Sequence, residues 1–325
     1  VNLLLRIILI ILNNYQKNKI YIIVNPIAGS GKSTKLWNQF RQKLNEAQIS
    51  YKYELTEYKN HATSITISAI EKNFNFLGIF GGDGTINEVI QGIFMNGYVN
   101  SDEIAITFFP SGSSCDFEKK FNRPKEWIQK IMMGDTKYID IFKVECIDFL
   151  GNNINRFIIN NSSIGIISLA NKIFNNVDGI TKKIKRANVD LGAIICGLQA
   201  IKKFKPFNVK MKIDNEIIIN TKLSNITIFK TSYFGGGMNY GIKPNQSDGL
   251  LSLVWLDNTT KIELSTLIPS LYTGNILKNK KAHYKTCQEL SLQTNNKVIV
   301  ETDGENIGLP PVRYTILKKA LKVII

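Results

Sequence analysis

The segment Gly81-Gly82-Asp83-Gly84-Thr85 has the residue types and spacing best suited to chemistry in this chain. It follows an apolar run at residues 76–80 and precedes an amphipathic run at residues 86–94, which predicts a strand, a glycine-rich turn and a helix. Such a turn directs backbone N–H groups and the positive end of a helix dipole towards one point, where a phosphate can bind without meeting a Cβ. The Asp83 carboxylate would repel a phosphate. Its presence in the turn therefore favours a role in binding Mg²⁺ or in transferring a proton. The turn therefore predicts nucleotide chemistry, while a purely structural turn stays open.

Two more polar loops follow predicted strands. Asn25–Ser33 follows the strand at residues 19–24, and its last five residues, Gly29-Ser30-Gly31-Lys32-Ser33, imitate a phosphate-binding P-loop. A full P-loop requires glycine where Pro26 stands, and proline has no N–H to offer a phosphate, so a true P-loop is disfavoured. Pro110–Phe117 follows the strand at residues 104–109. Because ligands in open α/β sheets gather at the carboxyl ends of the strands, the three loops predict one cleft.

Three further turns lie in the second half of the chain. Glu301–Glu305 is an acidic turn after a strand at residues 297–300, and its Asp-Gly pair is typical of a plain hairpin. Pro244–Leu250 is a similar segment, in which Asp248 is either a turn residue or a metal ligand. Phe234–Met238 is rich in glycine. Taken alone, the Glu301–Glu305 segment is best explained as a plain hairpin turn.

The order of these patterns predicts two domains and an extension. Strands alternate with helices from residue 19 to residue 140, which predicts an α/β domain with a parallel sheet and covering helices. Short strands then predict a mainly antiparallel β-sandwich domain at residues 141–310, with helices near residues 166–174, 191–204 and 261–273. The predicted strands are at residues 139–147, 155–160, 209–213, 216–220, 225–230, 250–256, 290–293 and 297–301. Residues 311–325 are expected to return to the first domain, and residues 1–18 are an apolar N-terminal extension.

Charge and residue counts narrow the classes of function. The net charge of +15 favours an anionic partner, and the dispersed lysines are equally compatible with a solvated surface. Two histidines and four widely spaced cysteines disfavour a histidine triad, a zinc site and a disulfide framework, and they suit a reducing cytoplasm. The apolar stretch at residues 1–12 is too short to span a bilayer. A membrane-dipping segment, an extended start and an extra helix all stay open.

Taken in order, these motifs resemble the diacylglycerol kinase catalytic family, which includes bacterial soluble diacylglycerol kinases, YegS-like lipid kinases, and sphingosine and ceramide kinases. The resemblance covers residues 19–325. It is carried by Asn25–Gly29, Gly81–Thr85 with Glu88, Pro110–Phe117, Gly235–Met238, Pro244 with Asp248-Gly249, and Asp303–Glu305. The Gly81–Thr85 segment is strongly diagnostic of the family when it occurs together with the other motifs. NAD kinases and phosphofructokinases share it in shorter form.

The resemblance implies a two-domain enzyme that binds ATP between its domains. With Mg²⁺, such an enzyme transfers the γ-phosphoryl group of ATP to a lipid hydroxyl. Asp303 would be the general base, Glu305 would support it, and Asp83 would complete the catalytic carboxylates. The residues implied for nucleotide binding are Asn25, Pro26, Gly29, Thr56, Gly81, Gly82, Asp83, Gly84, Thr85, Glu88 and Ser113.

The same resemblance implies two groups of Mg²⁺ ligands. Asp83, Asp116 and Asp140 would form an acidic network around Mg²⁺ and its water. A separate structural Mg²⁺ would be held by Asp248 together with the backbone carbonyls of Asn245 and Leu250.

The third motif departs from the family pattern. Ser113 replaces a threonine and keeps the hydroxyl, whereas Cys115 replaces an asparagine and removes an amide. Because that asparagine commonly contacts the nucleotide in this family, the affinity for ATP is in question.

The resemblance also implies a partner and a location. The partner is a lipid substrate at a membrane surface, with the basic enzyme in the cytoplasm and peripheral to the inner membrane face. No nucleic acid is expected, and a homodimer is compatible with the sequence. Two other functions stay open: a kinase for a soluble acceptor such as NAD, and a non-catalytic nucleotide- or lipid-binding relative, which Cys115 would favour. The sequence identifies no particular acceptor lipid.

Overall fold

The chain divides into two units, at residues 139/140 and 318/319. The computed structural model describes residues 19–95, 104–112, 130, 136–179, 184, 189–214, 217–235 and 237–324. Unit 1 contains the described residues up to Ile139 and those from Lys319 onward, and unit 2 is Asp140–Lys318. The predicted extension at residues 1–18 lies outside the described residues, as do Ser113, Cys115 and Asp116.

In unit 1, strands alternate with helices along the chain. The strands are β1 (Ile20–Val24), β2 (Tyr51–Leu55), β3 (Phe76–Gly81) and β4 (Ala105–Pro110), and the helices are α1 (Lys32–Glu46), α2 (His61–Glu71) and α3 (Asp83–Phe94), with a 3₁₀ turn at Ala28–Gly31. β1 pairs in parallel with β2 and β3, and β3 pairs in parallel with β4. Lys322 and Val323, near the end of the chain, add a parallel pairing to β4.

The central strands of unit 1 are buried along their whole length, as their apolar composition requires. Every residue of β1 and β3 is buried. α1 contributes Trp37, Phe40 and Leu44 to the same core. Phe80, directly before the glycine-rich turn, stacks on Phe109 with the ring centroids 4.1 Å apart. This stacking fixes the end of β3 and therefore the point at which the turn begins.

Unit 2 consists mainly of antiparallel strands. Its strands are β5 (Lys137–Ile147), which begins in unit 1, β6 (Asn153–Ile158), β7 (Asn161–Gly165), β8 (Phe207–Ile213), β9 (Ile217–Phe229), β10 (Tyr233–Phe234), β11 (Met238–Asn239), β12 (Leu251–Asp257), β13 (Ala282–Cys287), β14 (Glu289–Gln293), β15 (Val300–Thr302) and β16 (Glu305–Val323), which ends in unit 1. Its helices are α4 (Ile166–Asn175), α5 (Val189–Lys203) and α6 (Lys261–Thr273), with a 3₁₀ turn at Ile276–Lys278.

The strands of unit 2 pair in a continuous order, β13-β12-β9-β7-β15-β16, and each of these pairings is antiparallel. β8 pairs with β9 and β14, and β14 pairs with β16, also antiparallel. Buried and exposed residues alternate along β8, so only one of its faces meets the core. The core includes Ile201 of α5 and Leu264 and Leu267 of α6, so both helices pack against the sheet.

Three features of unit 2 differ from the sequence prediction. The predicted strands at residues 216–220 and 225–230 are parts of one strand, β9. β7, β10, β11 and β13 are missing from the prediction, and the residues of β13 are mostly polar. β16 runs through Pro310 and Pro311, so the predicted boundary at residues 310/311 lies inside a strand. The β15 ladder on β16 ends at Gly308 and the β14 ladder begins at Val312, so neither of these two ladders requires an N–H group from the prolines.

The helices of the described residues are short. The longest, α1 and α5, contain 15 residues each, and no helix formed by the described residues is long and apolar enough to cross a bilayer.

Candidate functional site

Three loops of unit 1 meet at the carboxyl edge of its sheet. They follow the adjacent parallel strands β1, β3 and β4. Asn25 links two of them, because its backbone N–H donates to the carbonyl of Phe80 at 2.8 Å and its Nδ2 donates to Thr85 Oγ1 at 3.0 Å. Ser111 links the third, because its backbone N–H donates to the carbonyl of Gly81 at 2.9 Å. The structure therefore brings together Asn25, the turn at Gly81–Thr85 and the start of the loop after β4.

Glycines allow these loops to approach closely. Gly29 has a φ of +58°, and a Cβ on it would lie 1.8 Å from the carbonyl oxygen of Ser111. A Cβ on Gly81 would lie 2.5 Å from Thr85 Oγ1, and one on Gly82 would lie 3.0 Å from the Cα of Gly112. The fold itself therefore requires a very small residue at Gly29 and Gly81.

Gly84 differs from these glycines. A Cβ added to it would meet no atom within 4 Å, and the residue is exposed in the first turn of α3. The fold therefore gives no steric reason for glycine at this position. A ligand that approaches the backbone closely would give one.

The start of α3 is suited to binding an anion. The helix begins at Asp83, and Gly82 at its N-cap has no side chain with which to cap it. The N–H groups of a first helical turn have no partner within the helix, and the helix dipole adds partial positive charge there. Asp83 is partly buried in this first turn, where the dipole also favours its carboxylate. A phosphate beside Asp83 would need a cation between the two anions.

Two other residues predicted to contact nucleotide make contacts within the fold. The Glu88 carboxylate accepts hydrogen bonds from the backbone N–H groups of Asn60 and Ala62, at 3.0 and 3.1 Å. Glu88 thus ties the start of α2 to α3, and its predicted contact with nucleotide stays a prediction. Thr56 follows β2, and its backbone N–H donates to the carbonyl of Val24 at 2.8 Å. Thr56 therefore lies beside the end of β1.

The segment that imitates a P-loop has a different conformation. Ser30 and its glycine neighbours have left-handed backbone conformations, and the carbonyl of Pro26 accepts a hydrogen bond from Thr34 Oγ1 at 3.2 Å. The Ser33 hydroxyl, which would bind Mg²⁺ in a P-loop, is buried and donates to the carbonyl of Phe80 at 3.1 Å. The segment therefore does not have the conformation of a P-loop, as the presence of Pro26 predicted.

In unit 2, the predicted base Asp303 lies at the hairpin between β15 and β16. Its Oδ1 accepts hydrogen bonds from the backbone N–H groups of Asn160 and Asn161, at 3.2 and 3.0 Å. Its own N–H donates to the carbonyl of Asn161 at 2.9 Å. Asp303 has a φ of 45°, a left-handed conformation that aspartate tolerates better than most residues. These contacts hold the carboxylate in one place.

A pair of asparagines on α4 holds the same turn. Asn171 Nδ2 and Asn175 Nδ2 both donate to the carbonyl of Gly304, at 2.8 and 2.9 Å. Residues four apart lie on one face of a helix, so a single face of α4 supplies both donors. This pair was not predicted from the sequence. The i, i+4 spacing of the two asparagines was the signal that could have suggested it.

Glu301 is a second residue whose role in the site was not predicted from the sequence. Its side chain is buried, and its Oε1 accepts a hydrogen bond from the backbone N–H of Gly304 at 2.6 Å. Burial, with a further contribution from the charge of Asp303, raises the pKa of Glu301 from 4.5 to about 8. The Glu301 carboxyl is therefore mostly protonated at neutral pH and adds little negative charge beside Asp303. Glu305, on the other side of the turn, is partly buried.

The residues predicted as structural Mg²⁺ ligands surround an ammonium group instead. Asp248 Oδ1 and the carbonyls of Asn245 and Leu250 all accept hydrogen bonds from Lys230 Nζ. Asp140, predicted for the Mg²⁺ and water network, is fully buried and also binds Lys230 Nζ. These residues therefore do not fit a Mg²⁺ ion. Within the described part of the chain, no cluster of three or more His, Cys, Asp or Glu side chains could hold a metal.

Comparison with known proteins identifies the class of this chain. The family model described as diacylglycerol kinase catalytic domain matches residues 19–144, and the model described as YegS C-terminal NAD kinase beta sandwich-like domain matches residues 165–325. The chain therefore belongs to the diacylglycerol kinase catalytic family. The predicted two-domain kinase fold with a C-terminal β-sandwich-like domain is confirmed.

Individual relatives match almost the whole chain. A protein named diacylglycerol kinase from Staphylococcus saprophyticus is 23% identical over 311 residues, which cover 95% of this chain and 95% of the relative. A second protein of that name, from Bacillus subtilis, is 22% identical and covers 93% and 95%. A crystal structure of a diacylglycerol kinase from Bacillus anthracis matches with a TM-score of 0.67 at 17% identity, over 94% of this chain and 96% of that one. The structural likeness establishes the fold.

Replacing Gly29 by alanine tests the close approach of the unit 1 loops. We expect Gly29→Ala to lose more stability than Gly31→Ala. Both substitutions place alanine in a left-handed conformation, which costs about 1–2 kcal/mol, whereas only Gly29→Ala also produces a clash, worth about 1–3 kcal/mol more. Urea unfolding of the two variants measures the difference. Equal losses would show that the loops can move apart.

The raised pKa of Glu301 predicts a pH dependence of stability. The stabilisation is fully present below the unfolded-state pKa of 4.5 and is lost as pH rises through the folded-state pKa of about 8, because the folded state holds a proton that the unfolded state has released. Between these values, Glu301 should lower stability by about 1.4 kcal/mol per pH unit. Glu301→Gln should remove this slope. The exchange of an exposed glutamate, Glu71→Gln, is the control and should retain the slope in urea unfolding measured across this range.

Proposed function

We propose that this protein is an ATP-dependent lipid kinase, which transfers the γ-phosphoryl group of ATP to a hydroxyl group of a diacylglycerol-like lipid. The observation that carries the proposal is the Asp303 turn. Its carboxylate is held by two backbone N–H donors, and its neighbouring carboxyl, Glu301, is kept neutral by burial. A fixed carboxylate that can accept a proton is what phosphoryl transfer to an alcohol requires.

Unit 1 supplies the groups that would hold ATP. The N–H groups at the start of α3 would bind phosphate oxygens, and Asn25 would support them through its hydrogen bond to Thr85. The loop from Pro26 to Gly29, together with Thr56 and Ser113, would line the same pocket. This proposal is supported by the convergence of three strand-end loops, which is where α/β sheets bind ligands.

Unit 2 supplies the group that would accept the proton. The proton of the lipid hydroxyl passes to the Asp303 carboxylate while the hydroxyl oxygen forms a bond to the γ-phosphorus. The bond between that phosphorus and the bridging oxygen of ATP breaks, which leaves ADP. Glu305, two residues further along the chain, supports Asp303. The asparagine pair on α4 keeps the turn in place during the transfer.

Acidic side chains of this chain would bind the Mg²⁺ ion that accompanies ATP in this family. Asp83 would hold Mg²⁺ together with Asp116, because an acid at a phosphate-binding turn is tolerated when a cation lies between the two anions. When bound, Mg²⁺ offsets the negative charge of the phosphates. Asp140 is excluded from this role in our proposal, since its carboxylate already binds Lys230.

Asp303→Asn should abolish most of the activity while leaving the fold intact. The amide retains an oxygen that can accept the N–H bonds but cannot take up the proton, so turnover should fall about 10²–10⁴-fold. Asp214→Asn is a matched control, because Asp214 also has a positive φ and its Oδ1 also accepts two backbone N–H bonds, from Gln288 and Glu289. The measurement is transfer of labelled γ-phosphate to diacylglycerol in vesicles.

Unchanged turnover in Asp303→Asn would refute the role of this residue, and an equal loss in Asp214→Asn would show only a structural effect.

The same assay tests whether the net charge of +15 holds the enzyme at an anionic bilayer. Equal rates on vesicles with and without anionic lipid would count against that part of the proposal.

Gly84→Ala separates phosphate binding from folding. Since a Cβ at this position meets no atom within 4 Å, stability should stay unchanged or rise by about 0.5–1 kcal/mol. The KM for ATP should rise about tenfold, because the methyl group would stand where the phosphate approaches. Gly197→Ala, another helical glycine whose added Cβ meets nothing within 4 Å, is the control and should leave the KM unchanged. An unchanged KM in Gly84→Ala would favour a purely structural turn.

A further inference from the structure

A buried lysine in unit 2 occupies the centre of a shell of oxygen atoms. Lys230 directly follows β9, and its side chain is completely buried. Four oxygens lie within hydrogen-bond distance of its Nζ: Asp140 Oδ2 at 3.0 Å, Asp248 Oδ1 at 2.9 Å, and the carbonyl oxygens of Asn245 at 2.6 Å and Leu250 at 2.8 Å. We call these four oxygens the cage.

The cage has the composition of a site for a hard cation. Two carboxylate oxygens and two backbone carbonyl oxygens are the ligands that Ca²⁺ and Mg²⁺ take in proteins. An ammonium group has only three N–H donors, so one of them must be shared between two of the four oxygens. The distances of 2.6–3.0 Å are hydrogen-bond lengths, longer than the Mg–O distance of about 2.0–2.1 Å. The cage therefore has the ligand types of a metal site, but the distances from its oxygens to the central atom fit an ammonium nitrogen.

The loop from Pro244 to Leu250 is organised around this ammonium. Asn245 Oδ1 accepts from the N–H of Ser247 at 2.9 Å, and Asp248 Oδ1 accepts from the N–H of Leu250 at 3.0 Å. Gly249, with a φ of +70°, donates its N–H to Asp140 Oδ2 at 2.7 Å. These bonds turn the carbonyls of the loop inward. The ammonium thus fastens the loop to Asp140 and to the end of β9.

Charge balance makes the cation necessary. Without the ammonium, the cage would hold two carboxylates, and the one from Asp140 is fully buried. A buried charge without a partner is strongly destabilising. Asp248 is less confined, since 32% of its side chain is exposed. The ammonium offsets one of the two negative charges, and removing it would leave a site attractive to a divalent ion.

We propose that the Lys230 ammonium takes the place of the structural Mg²⁺ that the family resemblance implies for Asp248, Asn245 and Leu250. The chain then carries its own cation in this loop and folds without a metal there. Replacing the lysine by a small residue would convert the cage into a site for a divalent ion. This inference is independent of the proposed kinase activity, because all of its groups lie in unit 2 and none has a role in the transfer.

The wild-type protein gives the first test. After dialysis against EDTA, full-length protein should contain no bound metal by elemental analysis, and its unfolding temperature should match that of the untreated protein. A stoichiometric metal that EDTA removes with loss of stability, and that an Asp248→Asn variant fails to bind, would overturn the proposal. Neither measurement depends on activity or on ATP.

Two substitutions give the second test. Lys230→Ala should lower the unfolding temperature in EDTA by about 10 °C, because it leaves a buried carboxylate without its partner. Mn²⁺ or Mg²⁺ should restore most of that loss, and Mn²⁺ titration followed by electron paramagnetic resonance should count one more bound ion than in wild type. Lys230→Met is the matched control: it removes the charge but keeps the bulk of the side chain, so it should be destabilised and gain no ion.

The double variant Lys230→Ala/Asp248→Asn identifies the cage as the binding site, because it should lose the additional ion. If Lys230→Ala does not fold in EDTA, recovery of folded protein on dilution from urea into Mn²⁺ becomes the measurement. Recovery of Lys230→Ala but not of the double variant supports the proposal. Absence of rescue in Lys230→Ala, or equal rescue in Lys230→Met, overturns it.

Discussion

A carboxylate that is withdrawn from water must be neutralised by a proton, by hydrogen-bond donors or by a cation, and unit 2 uses all three solutions. Burial raises the pKa of Glu301 to about 8, so this residue retains a proton. Asp303 is held by backbone N–H groups at the turn between β6 and β7, and Asp140 is paired with a lysine ammonium. The acids of this unit therefore have different charges and different tasks, although their side chains are chemically alike. In the proposed function, this division leaves Asp303 to accept a proton while the other two carboxyl groups support the fold.

Unit 1 depends on a different constraint, the close approach of backbone segments. Its loops can converge because glycine stands where any Cβ would collide with a neighbouring loop or side chain. The parallel pairing of β1, β3 and β4 brings the ends of these strands to one edge, and the Phe80–Phe109 stack fixes where that edge lies. Gly84 departs from this rule, because a Cβ there would meet no atom within 4 Å, so packing gives no reason for glycine at this position.

The sequence predicted what depends on local pattern. The apolar runs and glycine turns of unit 1 predicted its strands and helices closely, and the Asp303 turn was recognised from its residues. Features that depend on distant partners were missed. The neutral state of Glu301 depends on burial by the whole unit, and the partner of Asp140 is 90 residues away at Lys230. β16 was missed because Pro310 and Pro311 normally interrupt a strand, and their position between two ladders can be seen only in the pairing.

The asparagine pair on α4 has a consequence for motion. The tip of a hairpin is usually among the most mobile parts of a protein, whereas a packed helix is among the stiffest. Because Asn171 and Asn175 bind the same carbonyl from one helical face, the tip that carries Asp303 takes its position from α4 as well as from its own two strands. Turn and helix are therefore mechanically coupled, so a shift of α4 of about 1 Å would change the aim of the carboxylate.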